Sequence, residues 1–156
     1  MGRRPLSSRR IYVQAHSDSD RWFGSVSKAV LYSVRLAKEA GAKVTALTIS
    51  EPYRVASLDA VLIAIGEDEY EEESRRMSEK ALDQVKMAAE AADVPCETIR
   101  EIHDHPYRAI IDAAHALSCD LVIMASRGRR GISVLLLGSE TVKVLTHSTI
   151  PVLVYR

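Results

Sequence analysis

The chain has 156 residues, 47% hydrophobic and 27% charged, the make-up of one ordinary globular domain with apolar material enough for a core. Lysine plus arginine and aspartate plus glutamate are both 21, so bulk charge argues against nucleic acid or a membrane surface as partner. Cys96 and Cys119 fit no CxxC or zinc-ligand spacing and read as reduced thiols, and no signal peptide or membrane-length apolar run is evident, so the expected location is cytoplasmic.

Residues 1–9 form a basic tail expected to be flexible, and 10–156 the folded domain. "RIYVQA" (10–15) reads as a buried strand. A helix follows through "SVSKAVLYSVRLAKEAG", with Ser25 or Ser27 as N-cap and Gly41 as its stop. "KVTALTIS" (43–50) is β-branched and apolar, a second strand. Residues 51–66 read as irregular or a short turn of helix. From 67 to 92, Tyr70, Ser74, Met77, Ala81, Val85, Ala88 and Ala92 recur at helical spacing, behind an acidic start that suits a helix dipole and a solvated face. Then come strand "CETIREI", a helix over 106–117 opened by Pro106 with Asp104 in its cap region, strand "DLVIMA", a helix over 139–147 and strand "PVLVYR".

Apolar strands alternating with helices predict an α/β fold: a three-layer, doubly wound, Rossmann-like sandwich on a five-stranded parallel sheet. With order 3-2-1-4-5 the switch point lies between the first and fourth strands, where ligands of such sheets gather. The fourth strand feeds "ASRGRRGISVLLLGS" (125–139). Gly138 and Ser139 open the next helix, whose free N–H groups welcome a phosphate oxygen, with Arg127, Arg129 and Arg130 as nearby charge. Glu140 favours that helix dipole but repels a phosphate at the same end. The loop matches neither GxxxxGK[ST] nor GxGxxG, and a structural turn is an equal reading.

Other residues read as structural. Trp22 and Phe23 would staple the first helix, or lid a base by stacking. His103 and His105 in "HDHP" have a metal-compatible spacing without a visible third ligand, and a solvated loop is the preferred reading. His147 suits the end of a helix, and no nucleophile and base stand together.

The layout, "HPYRAIIDAA", "DLVIMASRGRRG", "LLLGSETVKVL" and "THSTIPVLVYR" resemble the universal stress protein family from about Ile11 onward. Its nucleotide-binding members carry G-x2-G-x9-G-[ST] after the fourth strand. On that pattern Gly128, Gly138 and Ser139 match the second glycine, third glycine and hydroxyl, with Ala125 in the first glycine's place and Gly131 an extra glycine. The resemblance implies ATP or AMP, with or without Mg2+, its phosphates held by these residues with Met124, Arg127 and Arg130 beside them. Ile49 would touch the base. The family's aspartate after the first strand has His16 in its place, so Ala15, His16 and Asp18, or Asp20, would line the ribose. It further implies a stress-response protein acting through its conformation, a homodimer through the last strand, and protein partners no residue identifies. Weak ATPase activity is the most enzyme chemistry expected. The rival reading is a nucleotide-free homodimeric interaction module, and a weaker third is a hydrolase.

Overall fold

The computed structural model describes residues 9–14, 23–54, 66–125 and 137–155. Five strands form one sheet: β1 (Arg10–Gln14), β2 (Lys43–Ser50), β3 (Cys96–Ile102), β4 (Leu121–Ala125) and β5 (Val152–Tyr155). Every pairing is parallel and the order is β3-β2-β1-β4-β5, as the alternation of strands and helices predicts. The described residues between them form four helices: α1 (Phe23–Ala40), α2 (Glu67–Ala91), α3 (Pro106–Ala116) and α4 (Ser139–His147).

The core is two apolar layers divided by the sheet. Ile11, Val13, Val44, Ala46 and Ile123 pack on one face against Val30 and Val34 of α1 and Leu82, Val85 and Ala89 of α2. Tyr12, Leu47, Val122 and Met124 point the other way, against Ile110 and Ala114 of α3 and Val144 of α4. Alternation along the inner strands produces this split, so β1, β2 and β4 are covered on both faces and read as largely apolar runs, whereas the outer strand β3 (CETIREI) is part-exposed.

Three helices end in one device. Gly41 has φ 61°, and Ala42 N–H donates to Ala37 O at 2.8 Å. Asp93 (φ 55°) and Ser118 (φ 52°) hold the same place after α2 and α3, where Val94 N–H donates to Ala89 O and Cys119 N–H to Ala114 O. These left-handed stops satisfy the last carbonyls and turn the chain into the following strand. Two expected starts are corrected. α1 begins at Phe23, so Ser25 and Ser27 lie inside the helix rather than capping it. The residue at the cap of α3 is His105, and Asp104 pairs instead with Arg54.

α2 is the longest element, about 37 Å at the usual rise, against roughly 26 Å for β2. Its first turns therefore rise past the sheet, where Tyr70 Oη donates to Glu51 O at 3.1 Å and stacks with Tyr53 at 5.6 Å. Its acidic start is solvated and internally paired, Arg75 with Glu72 and Glu79, and Arg76 with Glu73.

Candidate functional site

The switch point falls where the sequence sets it. β1 lies between β2 and β4, with Ile11 beside both Val44 and Leu121, so the chain leaves the carboxyl ends of β1 and β4 in opposite directions. Ala125 ends β4 and is buried, and its carbonyl accepts Thr141 Oγ1 at 3.3 Å. That bond ties the first turn of α4 to the strand end, bringing Ala125, Gly138 and Ser139 together. Thr141 is 2% exposed, and the spacing that buries it with Val144 is the signal that marks it in the sequence.

Gly138 is the N-cap of α4, with φ −59° and ψ 146°, and no described side chain caps the helix there. Ser139, the first helical residue, is exposed. The leading N–H groups of α4 thus have no described side chain capping them, an arrangement that favours an anion.

Glu140 does not face these N–H groups. Its Oε2 accepts the backbone N–H of Tyr107 at 3.0 Å and its Oε1 accepts Lys143 Nζ at 2.6 Å. The carboxylate caps the start of α3, in place of the cap expected from Asp104, and lifts the Lys143 ammonium above its ordinary pKa through that hydrogen bond and charge. One residue therefore joins two helix entries while its charge is turned from the anion-favouring end of α4. The bond depends on α3 and α4 lying side by side, which local sequence does not reveal.

The remaining expected residues divide. The Met124 side chain is 1% exposed in the core under α3, so its backbone is what it can present at the strand end. Ile49 is half-buried against the same layer. Arg127, Gly128, Arg130, Gly131, Ala15, His16, Asp18, Asp20 and Trp22 lie outside the described residues.

The histidines make local contacts. His105 N–H donates to His103 Nδ1 at 2.9 Å, and no group of three metal-binding side chains occurs among the described residues. His147 donates through Nδ1 to Lys143 O at 2.8 Å and stacks on Tyr107 at 5.4 Å. Burial pushes the Cys119 thiol up to about 11 and raises that of Cys96, which leaves both poor nucleophiles. No described helix is long and apolar enough to cross a membrane.

A parallel sheet of order 3-2-1-4-5, helices on both faces and a glycine-led helix entry at the switch point define a Rossmann-like α/β sandwich. Within that class the chain belongs to the universal stress protein family, whose model matches residues 19–156. It is 31% identical over 134 residues to universal stress protein YxiE of Bacillus subtilis, covering 83% of this chain and 90% of that one. A universal stress protein crystallised in complex with cAMP superposes with a TM-score of 0.68 at 23% identity, over 95% of this chain and 97% of that one. An Arabidopsis thaliana family protein with AMP bound gives 0.65 at 15% identity, over 94% and 90%.

Proposed function

We propose that this protein binds an adenine nucleotide, ATP or AMP, at the switch point and signals through its conformation as a cytoplasmic homodimer. The observation that carries the reading is the open start of α4, with Gly138 uncapped by any described side chain and Glu140 drawn off to α3. Family members of the same fold with cAMP and AMP bound support the nucleotide class. Gly138, Ser139, Gly128 and the backbone around Ala125 and Met124 would hold phosphate oxygens, with Arg127, Arg130 and Gly131 alongside. Ile49 would meet the base, and Ala15, His16 or Asp18 the ribose. Mg2+ would arrive on the phosphates and not in a cage of protein carboxylates.

Calorimetric titration of nucleotide-stripped protein with ATP and with AMP, each with and without Mg2+, tests this. Micromolar binding is expected, and Gly138→Asp should weaken it by about a hundredfold or more by placing a carboxylate where the phosphates would sit. The φ of Gly138 suits any residue, and aspartate is a favoured N-cap, so this variant should melt no lower than the parent. Absence of binding up to millimolar nucleotide in the parent would reject the reading in favour of a nucleotide-free interaction module.

A further inference from the structure

The sheet face beneath α2 carries a group of hydroxyl and guanidinium side chains that neither the core nor the candidate nucleotide site uses. Val44 and Ala46 of β2 pack there with Ala81, Leu82 and Val85 of α2. Thr48 and Ser50 continue the same face toward the carboxyl end, and Arg100 of β3 stands in register beside Thr48. Ser50 Oγ and Ser78 Oγ of α2 are 3.2 Å apart, which closes the helix over the strand. Thr48, Ser50 and Ser78 are all buried.

Two atoms of the group, Thr48 Oγ1 and Arg100 Nε, are buried with no hydrogen-bond partner among the described residues. No carboxylate among the described residues pairs with the half-buried Arg100. Buried polar atoms are nearly always satisfied. The guanidinium Nε–H can only donate, and the threonine hydroxyl and whichever serine hydroxyl does not donate within its pair each have an O–H to give. A donor set built on guanidinium and hydroxyls, with no acid among it, matches an oxyanion. β3 is the outer strand of the sheet, so the part-exposed Arg100 lies on the side from which a solute can enter.

We infer that Thr48, Arg100 and the Ser50–Ser78 pair form a binding site for one small oxyanion, phosphate or carboxylate, under α2. It is separate from the start of α4 and does not depend on nucleotide binding.

The test follows the Arg100 Nε–H resonance, assigned by its loss in Arg100→Lys, during NMR titrations of the whole protein with inorganic phosphate and with acetate. A saturable shift in the millimolar range is expected. Phosphate alone acting would fix a phosphate site, and both acting a general oxyanion site. Thr48→Val, which keeps shape and loses the hydroxyl, should weaken the response about tenfold. Gly138→Asp should leave it unchanged, separating this site from the nucleotide reading. A resonance unmoved by both anions, or moved equally in Thr48→Val, would overturn the inference.

Discussion

Ser118 and Asp93 hold left-handed backbone that costs an ordinary L-residue about 1–2 kcal/mol, yet each closes a helix as Gly41 closes α1. Replacing Ser118 by glycine should relieve that strain and raise stability by up to about 1 kcal/mol, read as a higher urea midpoint. Gly41→Ala should lower it by about the same amount, because φ 61° then carries a Cβ. A Ser118→Gly protein no more stable than the parent would mean that interactions of the serine offset the strain. Glu140 acts at the same scale through two bonds. Glu140→Ala should cost about 1 kcal/mol by uncapping α3, and Glu140→Gln less, since an amide oxygen still accepts from Tyr107. Under the proposed function these two variants would also report whether a fixed start of α4 matters to nucleotide affinity.

At the scale of elements, the amino end of the sheet is held by a network of charge. Arg10 of β1 reaches across β2 to Glu97 of β3, bonding Thr45 Oγ1 at 3.1 Å on the way, and Lys43 Nζ joins Glu97 at 3.4 Å. The Arg10 hydrogen bond holds the Glu97 carboxyl below its ordinary pKa. A depressed folded pKa adds stability that is fully present above the unfolded value of about 4.3 and is lost as pH falls through the lower folded one. Urea unfolding from pH 6 to pH 3 should therefore show a falling midpoint that is shallower in Glu97→Gln, and equal slopes would rule the bridge out as a contributor. These elements were legible because most strands are short apolar runs and the helices repeat at 3.6 residues, so a parallel sheet covered on both faces followed from their alternation. The helix stops at Asp93 and Ser118 were not, since neither is glycine and the left-handed turn is imposed by the strand that follows. The sequence marks Glu140 only as a charge at the start of α4 and Thr141 only by its burial spacing, and the bonds the two make were not legible. Their partners, Ala125 O and Tyr107 N–H, are 16 and 33 residues away, a separation that no local pattern encodes. Gly138 and Ser139 were legible because a glycine and a hydroxyl at a helix entry carry a local signature.

At the scale of the whole molecule, the two edges of the sheet differ in character. β3 is blunted by Glu97 and its cations, whereas β5 ends the order with four half-buried residues, Val152–Tyr155, and an edge that no described strand pairs. Exposed apolar side chains flank that edge on both faces. Leu31 and Tyr32 of α1 are 59% and 41% exposed, with Tyr32 stacked on Tyr155 at 5.4 Å, and on α4 Val142 and Leu145 are 45% and 41% exposed. A free strand edge bordered by apolar residues is the kind of surface that a second copy, related by a two-fold axis, covers on both subunits at once. The proposed homodimer should therefore give a light-scattering mass of twice 17.3 kDa at micromolar concentration. Tyr32→Asp and Leu145→Asp put a carboxylate on either flank of β5 without touching the core, so secondary structure should survive while the dimer weakens by about tenfold or more for each. If the parent scatters as a monomer, or if both charged variants dimerise as the parent does, β5 is not the seam and its apolar flanks must serve some other contact.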